Sequence, residues 1–445
     1  MDKTPTLEMA SFQLRREQLA KQMGPNSIAL IDTSPVSYRN ADCDYKYRAD
    51  SYFYYLTGFN EPESFAIIET FSHTDEYRYT LFCRERNVQQ EIWHGYRVGT
   101  QGAIDEYGAD EAYEITQLDE IVSETVAHKD TLYFLIGHRE SLDTSVLTWL
   151  KHAESEHRNS YAIPKNIMDL HPILDEMRLI KSEQEVELIQ HACNISVNAH
   201  KNAMQNVKVG MMEYQLEAEL HYVFLKNGCE PAYNSIVGGG ENACILHYVE
   251  NNKVLNDGDL VLIDAGCEYA NYASDITRTF PVNGKFSQEQ KQLYQLVLNA
   301  QYAAIDASQE GVLYNQPHQA AVKVLTQGLI DLALLEGELN TLIEQKAYQR
   351  FYMHGTGHWL GLDVHDVGQY EINHQSRPLK EGMIITVEPG LYIAIDDKTV
   401  EEKWRGIGIR IEDDIMITKQ GPKVLTAALV KEIDDIEQLM ASHSH

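Results

Sequence analysis

The segment HGTGHWLGLDVH, residues 354–365, places three histidines among three glycines. His354 and His358 are four residues apart, the spacing at which two imidazoles on one helix face share a zinc ion. The zinc-protease motif also requires a glutamate after the first histidine, whereas here the intervening residues are Gly-Thr-Gly, which disfavour a helix. We therefore predict a strand, a turn and a strand, in which the histidines have separate roles. For any one of them, a purely structural hydrogen-bonding role is equally open.

An internal repeat in the second half of the chain places four acids at matched positions. The paired segments are NDGDLVLIDAG (256–266) with DITRTFPVNG (275–284), and KEGMIITVEPG (380–390) with EDDIMITKQG (412–421). Asp264 and Glu388 each lie six residues after a glycine and two before another. Asp275 and Glu412 each lie nine residues before a glycine. The repeat predicts two related halves whose strands bring four carboxylates to one place.

The apolar runs before two of these acids argue against a simple role as turn formers. LVLI before Asp264 and MIITV before Glu388 imply burial, and a buried carboxylate is costly unless it is paired or bound to a metal. The turn-forming interpretation has more weight for Asp275. Arg410 and Glu412 share one face of a predicted strand, so they could also form a structural ion pair. Together the four acids favour a metal site.

Four carboxylates with at least one imidazole exceed the needs of one ion and fit two divalent ions about 3.5–4 Å apart. Ligation by oxygen atoms favours Mn²⁺, although Co²⁺, Fe²⁺ or Zn²⁺ could compete. Because water held between two such ions is a nucleophile at neutral pH, the expected reaction is hydrolysis of an amide or ester. His247, isolated in NACILHYVEN, carries no comparable signal by itself.

The composition is typical of a soluble globular protein with two domains. A chain of 445 residues is too long for one ordinary core, and its net charge of −30 argues against nucleic acid or an anionic membrane as the main partner. No apolar run reaches the roughly 20 residues of a membrane span, and the first residues lack a signal-peptide pattern. The six scattered cysteines predict free, mostly buried thiols, so we expect a cytoplasmic location.

The N-terminal part mixes short strands and helices, which predicts a small α/β domain. The predicted elements are a helix over MASFQLRREQLAKQM and strands at Ser27–Pro35, Ser64–Phe71, Tyr77–Glu85 and Thr131–His138. The chain is predicted to cross between domains near His171–Ile180, because Ser182 and Glu185 then form the capping-box pattern of a long helix. We therefore predict one domain at residues 1–174 and a second at 175–445.

Several long segments resemble the pita-bread metallopeptidases, and within them the aminopeptidase P group. The resemblance rests on ILHYVEN, VLIDAGCEYANYASDITRTFPVNGKF, HGTGHWLGLDVHD, ITVEPGLYI and GIRIEDDI, and on the N-terminal YFYYLTGFNEPES and EIWHGYRVG. It implies an α/β (α+β) protein in which an N-terminal mixed-sheet domain precedes a pita-bread catalytic domain. In that family, two pseudo-symmetric halves surround a dinuclear metal centre.

The resemblance also implies a role for each residue of the site. The implied metal ligands are Asp264, Asp275, His358, Glu388 and Glu412, of which Asp275 and Glu412 bridge the two ions. Asp264 completes the coordination of one ion, and His358 with Glu388 completes that of the other. The implied catalytic residues are Glu388, as general base, and His247, His354 and His365, which line the pocket. The implied substrate-binding residues are Trp93, His247, Tyr392 and Arg410. Trp93 would reach a neighbouring subunit's site, which implies a homo-oligomer, a dimer or a tetramer; its alternative is a buried core tryptophan.

The implied activity is removal of an N-terminal residue from peptides with proline in second position. An Xaa-Pro bond is a tertiary amide without an N–H group, so its recognition requires a pocket shaped for the pyrrolidine ring. One alternative is a prolidase, which cleaves only Xaa-Pro dipeptides. A second is a non-catalytic pita-bread binding module. The presence of all five ligands argues against the second, because such relatives lose ligands.

Overall fold

The computed structural model describes residues 4–74, 76–156 and 163–442. The chain forms two compact units, one comprising Leu7–Arg178 and the other comprising the chain from Leu179 onward together with the described residues before Leu7. Within the ranges described, no helix is both long and apolar enough to cross a membrane. All six cysteines are free thiols and four of them are buried, as predicted.

The first unit is built on a six-stranded mixed sheet. Its helices are α1 (Met9–Met23), α2 (Ser51–Thr57), α3 (Val88–His94), α4 (Gly99–Asp105), α5 (Leu118–Val126), α6 (Glu140–Glu156) and α7 (His171–Leu179). Its strands are β1 (Ser27–Asp32), β2 (Tyr38–Asn40), β3 (Cys43–Asp44), β4 (Phe65–Thr70), β5 (Tyr77–Cys83), β6 (Glu111–Glu114), β7 (Thr131–Phe134) and β8 (Asn166–Asp169). The sheet order is β6-β5-β4-β1-β7-β8. Strand β4 is antiparallel to both neighbours and the other adjacent pairs are parallel, which confirms the predicted mixed sheet.

The four strands predicted for this unit are all present, but each ends earlier than predicted. Strand β7, for example, ends at Phe134 instead of His138. Gly137 has a φ of 75°, a left-handed conformation that breaks the extended run and turns the chain toward α6. Helix α1 has the predicted bounds.

Among its described residues, the second unit combines six α-helices with short strands. Its helices are α8 (Glu183–Asn206), α9 (Glu213–Lys226), α10 (Gln288–Ala307), α11 (Gln316–Asp331), α12 (Leu339–Glu344) and α13 (Ile433–Ala441). Its strands are β9 (Glu230–Pro231), β10 (Ile236–Gly239), β11 (Leu260–Asp264), β12 (Cys267–Tyr269), β13 (Tyr272–Ala273), β14 (Thr277–Pro281), β15 (Glu371–Ile372), β16 (Gln375–Ser376), β17 (Ile384–Val387), β18 (Gly390–Ile393), β19 (Ile407–Arg410), β20 (Asp413–Thr418) and β21 (Gly421–Val424). Helix α8 begins with the predicted capping box of Ser182 and Glu185.

The internal repeat appears as two antiparallel strand pairs, each with two acids at one end. In the first half, β11 pairs with β14, and in the second half β17 pairs with β20. Asp264 is the last residue of β11, and Asp275 lies two residues before β14. Glu388 directly follows β17, and Glu412 directly precedes β20. Each half therefore delivers two carboxylates from the same end of its strand pair.

The predicted strand on which Arg410 and Glu412 share a face, IGIRIEDDIMI, is broken at Ile411 and Glu412. The chain changes partners there, because β19 pairs with β18 whereas β20 pairs with β17. Pro389 lies opposite the break and has no N–H group to continue the ladder. Only its carbonyl takes part, accepting a hydrogen bond from Ile411 N at 3.3 Å.

The segment of three histidines forms neither a helix nor the predicted strands. Residues 353–358 are irregular, and a single antiparallel bridge joins Trp359 to Ile385. The close approach of Gly357 to β17 explains this geometry, since a Cβ at position 357 would lie 1.9 Å from the Thr386 carbonyl oxygen. His358 N instead donates to Thr386 Oγ1 at 3.1 Å.

Candidate metal centre and substrate cavity

A cavity of about 370 Å³ in the second unit brings the expected site residues together. Its lining includes Asp264, Asp275, His247, His354, His358, His365, Glu388, Arg410 and Glu412. Tyr392 is bonded to two of these side chains, those of His354 and Arg410. Leu246 and Tyr370 add apolar and aromatic surface to the wall. The five implied ligands and the three implied pocket histidines therefore face one space.

The donor atoms of this cavity fit a divalent cation. Asp275, His358 and Glu412 each offer one ligand atom, and these atoms lie within 4.8 Å of one another. His358 Nε2 lies 3.5 Å from Asp275 Oδ2 and 3.8 Å from Glu388 Oε1. His358 Nδ1 lies 3.0 Å from the Trp359 carbonyl oxygen, which can only accept a hydrogen bond. His358 Nδ1 therefore carries the hydrogen and donates it to this carbonyl, while Nε2 faces the carboxylates. This is the usual arrangement of a metal-ligating histidine.

The electrostatics of the cavity also favour a cation. Burial and the Asp264 carboxylate raise the pKa of Asp275, while burial and Asp275 raise the pKa of Glu412 well above its usual range. Burial raises the pKa of Glu388 to about 7. Burial alone would lower the pKa of His358, but the adjacent Asp275 and Glu388 carboxylates raise it to about 9. Burial and mutual repulsion thus both disfavour the ionised carboxyl groups, and the raised pKa of His358 reflects its attraction to them. A bound divalent ion would offset the excess of buried negative charge.

Two hydroxyl groups that sequence reasoning missed orient the acids. The Tyr233 hydroxyl faces both Asp264 Oδ1, at 2.6 Å, and Asp275 Oδ1. Thr277 Oγ1 donates to Glu412 Oε2 at 2.6 Å. Thr277 follows Asp275 by two residues, so strand alternation could have indicated it. Tyr233 lies in an irregular segment, and no local pattern indicates it.

A hydrogen-bonded chain links Asp264 to His354. Arg410 Nη2 donates to Asp264 Oδ2 at 2.6 Å, and Nη1 donates to the Tyr392 hydroxyl at 3.1 Å. Burial lowers the pKa of His354 to about 4, so its ring is neutral at pH 7. Its Nδ1 donates to the Gly355 carbonyl oxygen at 2.7 Å, and therefore its Nε2 accepts from the Tyr392 hydroxyl at 2.8 Å. Both ring nitrogens of His354 are thus engaged within the protein.

The two remaining pocket histidines are more exposed. Neither His247 nor His365 has a hydrogen-bond partner in the described part of the chain, so their ring nitrogens are available at the cavity. The edge of the His365 ring contacts His358, with 4.2 Å between ring centroids. Trp93 belongs to the other unit, where it lies on α3 with 81% of its surface exposed. This exposure rules out the alternative of a buried core tryptophan.

Comparison with known proteins identifies the family. Residues 187–419 match the model of metallopeptidase family M24, which is more than half of the chain. The chain belongs to metallopeptidase family M24. Residues 12–133 of this M24 member match the aminopeptidase P N-terminal domain. The resemblance seen in the sequence is thereby confirmed.

Relatives and solved structures cover the M24 chain nearly from end to end. It is 46% identical over 435 residues to the Xaa-Pro aminopeptidase of Haemophilus influenzae, with 98% of each chain covered. It matches the structure of Pseudomonas aeruginosa aminopeptidase PepP with a TM-score of 0.96 and 47% identity, covering 98% and 99% of the two chains. The structure of Escherichia coli aminopeptidase P with the inhibitor Pro-Leu matches with a TM-score of 0.95 and 44% identity, covering 98% and 99%.

Proposed function

We propose that this protein is a metal-dependent Xaa-Pro aminopeptidase, which removes the residue before a penultimate proline. The observation that carries the proposal is the convergence of four carboxylates and His358 in one cavity. End-to-end similarity to an Xaa-Pro aminopeptidase supports the substrate class. Within this protein, residues 175–445 act as the catalytic domain and residues 1–174 as an accessory domain.

The metal centre in this proposal holds two divalent ions, with Mn²⁺ as the preferred metal. The proposed ligands are Asp264, Asp275, His358, Glu388 and Glu412. Their carboxylate-rich donor set is hard, which suits Mn²⁺ better than a softer metal. When bound, the ions supply a Lewis acid for the scissile carbonyl and a water that is nucleophilic at neutral pH.

The side chains around the metal centre divide the remaining tasks. Glu388, whose Oε1 lies 3.8 Å from His358 Nε2 in the cavity, would take the proton of the attacking water as general base. His247 and His365 have ring nitrogens available at the cavity, so they hydrogen-bond the substrate carbonyl as its oxygen gains charge. His354 is committed to Tyr392 and Gly355, and it therefore acts by shaping the pocket and orienting the substrate.

Proline specificity depends on how this cavity can recognise the scissile amide. The Xaa-Pro amide has no hydrogen to donate, so a suitable site binds it by shape. Leu246 and Tyr370 supply apolar and aromatic surface for the pyrrolidine ring. The Pro-Leu inhibitor of the E. coli relative corresponds to the product left when one residue is removed from Xaa-Pro-Leu. A prolidase would release proline alone, so this ligand favours the aminopeptidase over the prolidase.

The test compares hydrolysis of Arg-Pro-Pro, Gly-Pro and Arg-Ala-Pro by metal-loaded protein. We expect release of arginine from Arg-Pro-Pro, with much slower cleavage of the other two peptides. Cleavage of Gly-Pro alone would support a prolidase. Cleavage of none of them, together with an absence of bound or bindable Mn²⁺ by elemental analysis, would support the non-catalytic binding module.

We further propose a cytoplasmic homo-oligomer, a dimer or a tetramer, in which Trp93 contributes to the site of a neighbouring subunit. The exposure of Val88, Ile92, Trp93 and Tyr96 around α3, between 70% and 91%, supports an interface there. The expected result of light scattering is a mass that is a multiple of 50.8 kDa. W93A should then weaken peptide binding without loss of metal, whereas a monomer with full activity would refute this part.

A further inference from the structure

His247 lies on an irregular segment that needs an anchor. No helix or strand covers residues 245–253, although His247 lines the cavity from this segment. His247 is exposed, whereas the next residue, Tyr248, is only 5% exposed. The two side chains thus face different environments, and whatever holds Tyr248 also determines the position of His247.

The anchor is the carboxylate of Glu213, the first residue of α9, which has no exposed surface. Its Oε1 accepts hydrogen bonds from Gly239 N at 2.8 Å and Asn242 Nδ2 at 2.9 Å. Its Oε2 accepts from the Tyr248 hydroxyl at 2.8 Å and Lys253 N at 2.8 Å. Two donors precede His247 in the chain and two follow it. The four bonds therefore tie both ends of the segment to one point.

Four donors on one carboxylate use essentially all of its acceptor positions. A buried carboxylate without such partners would be strongly destabilising, so the arrangement is specific for an ionised acid at position 213. An amide there would place its NH₂ group against two of the four donors. The structure thus offers no equivalent substitute for the glutamate.

We propose that Glu213 is a positioning residue that acts through Tyr248 to hold His247 against the substrate. This inference rests on the proposed aminopeptidase function. In this role Glu213, an acid at the N-terminus of α9 and outside the cavity, determines the position of the His247 side chain, which contacts the substrate. The four donors to the Glu213 carboxylate include none of the proposed ligands, so metal content should not depend on this residue.

The experiment is a double-mutant cycle on the metal-loaded enzyme with Arg-Pro-Pro as substrate. We expect E213Q to lower kcat/KM by about tenfold or more, since a misplacement of about 1 Å can cost about 10²-fold. We expect the loss mainly in kcat, with unchanged metal content. H247A should also lower kcat/KM, and E213Q should then have no further effect in the H247A background. The control is E219Q on the same helix, where the Glu219 carboxylate accepts a hydrogen bond from Asn202 Nδ2 at 2.9 Å. The kcat/KM of E219Q should stay within about twofold of the wild-type value.

Y248F provides a second, milder variant if E213Q fails to fold. It removes one hydrogen bond from Glu213 and should lower kcat severalfold in the wild-type background but not in H247A. An equal loss in both backgrounds would show a merely structural effect and overturn the inference. Wild-type activity of H247A would overturn it as well. An inactive wild-type enzyme would instead contradict the proposed function, on which the inference depends.

Discussion

Arg410 and Asp264 are joined across the cavity by a hydrogen bond of 2.6 Å between Nη2 and Oδ2. The sequence left open an ion pair between Arg410 and Glu412, but the carboxylate bonded to Arg410 is that of Asp264. The break between β19 and β20 comprises Ile411 and Glu412, so simple strand alternation from Arg410 to Glu412 does not apply. Asp264 and Arg410 come from opposite halves of the internal repeat, and their bond therefore connects the two halves at the centre.

Replacing Arg410 by lysine tests whether geometry as well as charge matters at this position. The guanidinium bonds Asp264, Tyr392 and Thr277 at once, with Nε donating to Thr277 Oγ1 at 3.1 Å. A lysine ammonium lacks this planar fork, so we expect R410K to lower kcat/KM by about tenfold or more while metal is retained. Steady-state kinetics and elemental analysis measure both. R405K is the control, because the Arg405 guanidinium donates to the Val400 carbonyl, away from the metal centre. Wild-type kinetics for R410K would refute the proposed role of the Arg410 guanidinium.

Metal removal should destabilise the protein as well as inactivate it. Asp264, Asp275, Glu388 and Glu412 repel one another in the apo form, and a ligand at 100 times its Kd adds about 2.7 kcal/mol of stability. We expect EDTA treatment to abolish peptide hydrolysis and to lower Tm by roughly 5 °C, and Mn²⁺ to restore both. E412Q should lose most of the Mn²⁺-dependent gain in Tm. A Tm that changes neither with EDTA nor with Mn²⁺ would contradict the proposed metal centre.

The predictable part of the site is the part encoded by local pattern. Asp264 and Glu388 follow apolar strands and recur at matched offsets, so the repeat is sufficient to locate the acids. His358 can be distinguished from His354 only by the resemblance, because their spacing alone suggests a shared role. The structure supplies the physical difference: His358 Nε2 faces carboxylates, whereas His354 Nε2 is bonded to Tyr392.

The parts that escape prediction depend on contacts between distant segments. Tyr233 lies 31 residues before its partner Asp264, and Glu213 lies 35 before Tyr248. Neither position has a periodicity or spacing that marks it. The strands predicted around the three histidines are also wrong for a tertiary reason. Where Gly357 approaches Thr386, His358 N donates to the Thr386 side chain and not to a backbone carbonyl, so the pairing with β17 is irregular although some backbone hydrogen bonds remain.

In the first unit, Asp50 should give a pH-dependent contribution to stability. Burial raises its pKa, but hydrogen bonds from His138 and Arg139 outweigh burial and hold the pKa below its usual value. Its stabilisation is therefore present above the unfolded-chain pKa of about 3.9 and is lost as pH falls through the folded value. The Tm difference between wild type and D50N should be largest near pH 7 and shrink below about pH 4. D130N, at an exposed pair with Lys165, should change Tm by about 1 °C or less at every pH.

The buried pair of Lys181 and Asp366 should respond very differently to single and double replacement. Nζ and Oδ2 are 2.8 Å apart and both side chains are 1% exposed. Asp366 follows His365, and the pair packs so closely on the same loop that a Cβ at Gly361 would lie 2.1 Å from Asp366 Oδ2.

K181M removes the cation that faces a buried carboxylate, so we expect the free energy of unfolding to fall by roughly 3–5 kcal/mol. The double variant K181M/D366L replaces the pair by apolar groups and should recover part of this loss, because Lys181 and Asp366 themselves then no longer have to be desolvated. Urea denaturation of the three proteins measures the effect. Because the loop carries His365, the double variant should also raise KM for Arg-Pro-Pro even where stability recovers. Additive destabilisation in the double variant would show that the pair does more for stability than two apolar side chains of similar size.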